Sequence, residues 1–367
     1  MATYPTKLAE AFASKTLEIY YTSAIAEEIT NQDYEGEIRD KASICNILTF
    51  GKILTQDYTG ADMVADDLTE TNGQLVTNQA KRIYFRVKSY DKFRSYIKNP
   101  EGTILTQTAS EIKKVIDTYV LGFWTKVGAG NRIGTDYTAG TVTVDAAGNV
   151  TGASTTFTAA MVGKGFQAAG QTSWYRVATF VSATSLTVID DLDDSGTGQY
   201  TGGAIAGGAS YIVQANTPVQ MTASSIFDQL NQLQVLMDNQ EIPSEQRWVV
   251  VPPAVGALIK LNPNYNPSGV PAAYDKLSTS GLANGRLGGA LSGFEVFQTP
   301  RVAGDKVNGW HIMAGHKSAI TFAMGFVETG MEDAIGNFGK KYKSLNVYGA
   351  KVLDERRKAL TELFGKL

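Results

Sequence analysis

One cysteine, Cys45, and two histidines, His311 and His316, are all that 367 residues supply of the commonest thiol and imidazole chemistry. A single cysteine excludes an intramolecular disulfide framework and a cysteine-rich zinc site, and it suits a chain made in a reducing cytoplasm. The histidines are five apart, on or beside a predicted strand at 311–313. Odd spacing on a strand puts them on opposite faces, so they read as structural residues and not as a metal pair. Long apolar runs are also missing: none reaches the roughly 18 residues that a membrane-spanning helix needs. The opening residues, MATYPTKLAEAFASK, lack the apolar core of a signal peptide. Nor is there an excess of positive charge. Lys and Arg total 33 against 36 Asp and Glu, a formal net charge of −3, so no basic field marks a nucleic-acid binder.

Chemical motifs are scarce in the same way. No Ser-His-Asp order and no G-x-S-x-G elbow is present. Gly128, Gly130 and Gly134 follow a predicted helix, whereas a dinucleotide loop follows a strand. The turn at 191–196 opens like a calcium loop, yet its twelfth position is Gly202, where a bidentate Glu is required; it reads as an Asp-rich turn. The expectation is therefore no catalytic residue, no cofactor and no metal, hence not an enzyme.

What the chain does have is a long amphipathic stretch, Thr108 to Val127. Thr108 and Glu111 have capping-box spacing, and Ile112, Val115, Ile116, Tyr119, Val120 and Phe123 recur at three- and four-residue steps. The spacing predicts a helical rod of roughly 30 Å, stopped by Gly128 and Gly130. Before it, Ala9 to Glu28 reads as an amphipathic helix and 31–43 as a polar loop. Ser43–Phe50 and Gln74–Val87 read as two strands, the second alternating Ile83, Phe85 and Val87 with Arg82, Tyr84 and Arg86. Such a ribbon is marginal alone and needs a surface to lie on.

After the rod the composition shifts. Residues 135–216 are rich in Gly, Thr, Ala and Ser, with short alternating runs at Thr141–Val144, Trp174–Val181, Ser185–Ile189 and Tyr211–Val213. They predict a small all-β unit with Trp174, Phe157, Phe166, Val177 and Val188 in its core. Its six aspartates face only Lys164 and Arg176. Residues 217–367 return to mixed character. Helices are predicted at Thr222–Asp238 and Ala254–Leu261, a loop at 262–269, a buried strand at Arg247–Pro253, and strands at Gly293–Gln298 and His311–Met313. A strand with Val347 and Val352 precedes a polar tail.

The order of these pieces resembles the major capsid protein family of tailed bacteriophages. The matching segments are DYEGEIRDKAS, KRIYFRVKSYDK, IDTYVLGFW, EQRWVVVPPAVGALIKL, LSGFEVFQTP, AGHKSAITFA and KSLNVYGAKVLDERR. The resemblance implies an α+β fold: N-arm (1–41), E-loop (42–90), P-domain with spine helix (91–134), A-domain (217–340), and a return strand with a C-terminal P-domain segment (341–367). Residues 135–216 would be an inserted all-β domain on the outside. It further implies a structural protein that self-assembles as hexamers and pentamers into an icosahedral head. Its partners would be itself, a separate scaffolding protein, a portal protein and packaged DNA held nonspecifically, with decoration proteins as further candidates and no membrane. The particle would be assembled in the host cytoplasm. Two alternatives stay open: a bacterial nanocompartment shell of the same fold, and a carbohydrate-binding or adhesin protein using 135–216.

The sharpest charge feature lies in the E-loop. Between Lys52 and Lys81 there is no Lys or Arg, yet Asp57, Asp62, Asp66, Asp67 and Glu70 are present. Some members of the family crosslink through an E-loop lysine; here noncovalent charge pairing with a neighbouring copy is expected instead. The candidate basic partners are Arg82, Arg86, Lys88, Lys92, Arg94 and Lys98 at the ribbon base, with Lys113 and Lys114 on the spine.

Overall fold

The computed structural model describes residues 25–34, 44–50, 70–88, 100–191, 198–261, 286–333 and 338–367. Most of the predicted arm helix, the 262–269 loop, Asp57, Asp62, Asp66, Asp67, Lys92, Arg94 and Lys98 lie outside these residues.

An eight-stranded mixed sheet forms the centre, two of its strands, Arg132–Ile133 and Gly304–Asp305, pairing off its main path. That path contains β13 (Val219–Gln220), β21 (Leu360–Lys366), β18 (Gly309–His316), β14 (Arg247–Val251), β16 (Phe294–Gln298) and β15 (Arg286–Leu291), side by side in that order. All five residues of β14 are buried, because both faces of the sheet are covered. Trp248 and Val250 point to one side, with Phe297, Met313 and Leu360; Val249 and Val251 point to the other, with Val296, Ile312 and Leu363. The second side receives α3 (Ile226–Asn239) and α4 (Pro253–Leu261), both close to their predicted positions. Ile226, Leu230, Leu233 and Met237 of α3 are fully buried there, the stripe their spacing predicts. The polar tail is a correction. LTELFGK is β21, paired with β18 from Trp310↔Gly365 to Gly315↔Leu360, and buried through Gly365. The charge of Glu362 is compensated inside the protein and not by water.

The first side receives the long helix, α2, which spans Pro100–Leu121 and tightens into a 3-10 turn at Gly122–Lys126. It begins eight residues before the expected start, so Thr108 lies inside the helix and the Thr108/Glu111 box does not cap it. The start signal is Pro100, whose fixed φ suits a first helical position. Ile116, Val120 and Leu121 are buried and Ile112, Tyr119 and Phe123 pack partly against the same core. Val115, placed in that stripe from sequence, is instead 38% exposed, one helical step round from Ile116.

Inside the stripe sits a fully buried carboxylate, Asp117. Its Oδ1 accepts the backbone N–H groups of Ile25 (3.2 Å) and Ala26 (2.9 Å), and its Oδ2 pairs with Arg301. The short helix α1 (Ala26–Ile29) is thus capped by a residue of another element, with Ile25 and Ile29 buried beside it.

The ribbon differs from expectation in one respect. Ile44–Phe50 (β1) pairs antiparallel with Glu70–Val76 (β2), from Ile44↔Val76 to Phe50↔Glu70. The chain breaks at 77–78, and Gln79–Lys88 (β3) pairs instead with Gly339–Val352 (β20). With Ile320–Asp333 (β19) they form a three-stranded sheet in the order β19-β20-β3.

The all-β unit is one eight-stranded sheet: Ile205–Ala209 (β11), Thr141–Val144 (β6), Asn149–Ala153 (β7), Ser185–Asp190 (β10), Tyr175–Ser182 (β9), Gly165–Ala168 (β8), Tyr211–Thr217 (β12) and Thr135–Tyr137 (β5). Its core holds Phe157, Phe166, Val177 and Val188, as read from sequence. Trp174 is not in that core. It is half-buried and lies over Gly130, whose φ of +96° and lack of a side chain admit the indole, 2.9 Å from where a Cβ would stand. The first and last strands close on each other through Thr135↔Thr217.

Candidate assembly surfaces and the junction beneath them

Of the basic residues singled out from sequence, Arg82, Arg86 and Lys88 are exposed on β3. Strand alternation puts them on one face with the exposed Tyr84. Register adds residues from β20 to the same face, since Arg86 pairs with Lys341 and Tyr84 with Lys343. Residues directly opposite across an antiparallel pair share a side of the sheet. The far face carries the apolar residues: Phe85 stacks on Tyr342 with ring centroids 5.1 Å apart. Lys343 pairs with Glu332 of β19. On α2, Lys113 lies 3.4 Å from Glu27 and Lys114 lies 3.7 Å from Glu111, both within the chain. The structure therefore brings Arg82, Arg86 and Lys88 together and engages the two spine lysines elsewhere. Glu70 opens β2.

The junction of α2, the central sheet and the β unit was missed from sequence. Glu362 of β21 is fully buried, with Arg132 Nη1 at 2.9 Å from its Oε2 and His311 Nδ1 at 2.6 Å from its Oε1. Arg132 lies in β4 (Arg132–Ile133), which runs parallel to β21 with Glu362 as its partner. The same guanidinium donates through Nη2 to the Val127 carbonyl (2.9 Å) and so ties the end of the spine to the sheet. His311 is sandwiched between Trp124 (3.5 Å between centroids) and Phe364 (4.5 Å). Lys164, from the β unit, sits 4.5 Å from the centroid of Phe364. Burial alone would raise the pKa of Glu362; Arg132, His311 and Lys164 outweigh it and hold the carboxyl below its ordinary value. Burial lowers that of Lys164, against the pull of Glu362.

Further bonds fix the unit to this corner. Asp191 Oδ2 accepts the Ala129 N–H (2.7 Å), Gln214 Oε1 accepts that of Gly130 (2.7 Å), and Gln214 Nε2 donates to the Arg132 carbonyl (3.0 Å). Arg357 donates to the Asp191 carbonyl. Asp191, read as part of an acidic turn, thus holds a spine-end amide. His316 is separate, its Nδ1 2.7 Å from Ser318 Oγ. Among the described residues no group of three or more His, Cys, Asp or Glu side chains could hold a metal.

A spine helix crossing a mixed sheet, with an extended ribbon leaving one side, is the architecture of tailed-phage capsid subunits. The structure superposes on a chain from Mycobacterium phage Che8 over 98% of both chains, with a TM-score of 0.61 and 14% identity. It also matches the capsid of Cyanophage P-SCSP1u (97% and 92% covered, TM-score 0.56, 10% identity) and the mature capsid of bacteriophage PhiM1 (98% and 92%, 0.54, 10%). In sequence, residues 177–361 match the family described as phage capsid protein, and this chain belongs to that family. The match begins at Val177, inside the β unit that the sequence resemblance had left aside. No curated protein matches the chain. The protein is a major capsid protein, a structural component of the virion.

Proposed function

We propose that this chain self-assembles as hexamers and pentamers into the icosahedral head that encloses phage DNA, in the cytoplasm of the host. The observation that carries this reading is the ribbon. Leu48 of β1 is 59% exposed and Tyr84 of β3 is 58% exposed, on strands that belong to sheets other than the central one. Neighbouring copies can cover such surfaces, and obligate interfaces of this type resemble a core cut in half. A separate scaffolding protein, a portal and decoration proteins complete the partner set, and DNA is held without sequence preference. Residues 135–216 act as a domain set into the capsid fold on the outer side, where its aspartates stand away from DNA. The carboxylates Asp57, Asp62, Asp66, Asp67 and Glu70 serve as contacts between copies.

Negative-stain microscopy of the purified protein tests the reading. Closed shells of uniform diameter are expected, and shells filled with protein cargo would point to a nanocompartment. Small particles under every condition that keeps the chain folded would sink it.

A further inference from the structure

Two chain crossings link the three-stranded sheet to the central one: β18 runs into β19 through residues 317–319, and β20 into β21 through 353–359. The crossings meet. Arg356, in the 3-10 turn Asp354–Ala359, donates from Nη1 to the Ser318 carbonyl at 2.9 Å. The Lys317 N–H bonds the Gln246 carbonyl at 3.2 Å, which ties the same turn to the loop between α3 and β14. Gln246 is held at a φ of +55°, a left-handed conformation that is costly for a residue with a side chain and persists where neighbours fix it.

His316 stands at the centre of this joint. Its Nδ1 accepts the Ser318 N–H at 3.2 Å and lies 2.7 Å from Ser318 Oγ. Its other ring nitrogen donates to the Glu245 carbonyl. A neutral ring satisfies both sides, and a second proton, on Nδ1, would displace the Ser318 N–H. The charges around it oppose a cation as well. Arg247 is its register partner on β14, Arg356 reaches it from the 3-10 turn, and Lys317 follows it in sequence. Of the acids on the same elements, Asp238 pairs with Arg247, Asp354 lies 3.9 Å from Arg357, and Glu241, Glu245 and Glu355 are exposed to water. Burial first, then Arg247 and Arg356, hold the pKa of His316 below its ordinary value. His311 has contrary surroundings, with the Glu362 carboxylate against its Nδ1.

We propose that the 316–319 turn is an acid-released joint through which the three-stranded sheet moves against the central one. Above a pH of about 6.5 the neutral ring keeps the Ser318 amide, and Arg356 and Gln246 keep the rest of the turn. Below it, the opened turn takes up a proton that the closed turn refuses. Opening therefore gains as pH falls through that value, and the gain stops at the lower pKa of the closed form. A histidine kept neutral in the closed form makes opening about tenfold more frequent at about pH 5.5 than at about pH 7.5. The joint belongs to the single subunit, so its test does not depend on shells forming.

Hydrogen exchange of the full chain at those two pH values, each rate referred to an unstructured peptide of the same sequence, gives the measurement. The amides of Lys317 and Ala319, which bond the Gln246 and His316 carbonyls, should lose about tenfold in protection on acidification. In His316→Asn the side-chain oxygen can take the N–H two residues on, as Asn31 does for Asp33, and it does not titrate. That variant should protect the turn equally at both values. Arg356→Gln keeps the histidine and a donor for Ser318 but removes one opposing charge, so its acid response should shrink; it also decides the matter if His316→Asn does not fold. Equal protection of the parent at both values would overturn the proposal, as would a His316→Asn chain that loses as much as the parent. A loss shared equally by the amides of β14 would mean unfolding of the whole sheet and overturn it too.

Discussion

Glu362 is a carboxylate that the fold takes wholly out of water and surrounds with Arg132, His311 and Lys164. Replacing one partner of such a cluster leaves buried charge uncompensated. Glu362→Gln, which strands the 2%-exposed Arg132 side chain, should cost about 3–5 kcal/mol. The sign with pH follows from the direction of its shift. A depressed folded pKa stabilises the protein above the unfolded value of roughly 4.3, and that contribution is lost as pH falls through the lower folded value. Denaturant unfolding of the subunit should therefore show the full gap between parent and variant near neutrality, closing in strong acid. The spine gives a paired prediction. Ile116→Asp buries an unpaired charge beside Asp117 and should cost several kcal/mol, whereas Val115→Asp, on the exposed side, should stay within about 0.5 kcal/mol. Equal losses in thermal unfolding would place the stripe wrongly. Sequence spacing separated neither case: Val115 satisfies the periodic pattern as well as Ile116 does. The Glu362 cluster draws on positions 132, 164, 311 and 362, which no local pattern links.

Elements with strong periodicity or unbroken apolar character were legible. β14 and α4 show this, as does the buried face of α3, because each contains its own signal. The start of α2 was missed because Thr108-x-x-Glu111 imitates a cap while Pro100 carries the real boundary, among residues with little amphipathic pattern. β2 and β3 read as one strand because alternation continues across the break, which only their different partners reveal. The β unit was visible as a shift in composition, and its paired ends at Thr135 and Thr217 make a clean excision possible. Replacing 136–216 with a short Asn-Gly link should leave the central sheet folded and still able to assemble. Stability should fall by a few kcal/mol, since Ala129 and Gly130 lose their acceptors and Glu362 loses Lys164. Microscopy for shells and thermal unfolding for the loss check both halves. Folded chains that never form shells would make the unit part of the lattice.

At the scale of the molecule, the fold class was legible from the order of the pieces, and the family match bears it out. The place of the last residues was not, because a central strand bearing Glu362 looks like a polar tail until its partners are known. That place has a consequence for biosynthesis. β21 joins β13, β18 and β4, so strands formed from residues near 132, 219 and 312 wait for residues 360–366 before their sheet is continuous. Pairing across such separations is slow and comes late. A nascent chain on the ribosome therefore carries an open sheet until translation has passed Lys366, and messages cut short upstream yield chains without a finished floor. A chain cut short before Leu360 lacks the strand that joins β4, β13 and β18, and its central sheet stays open.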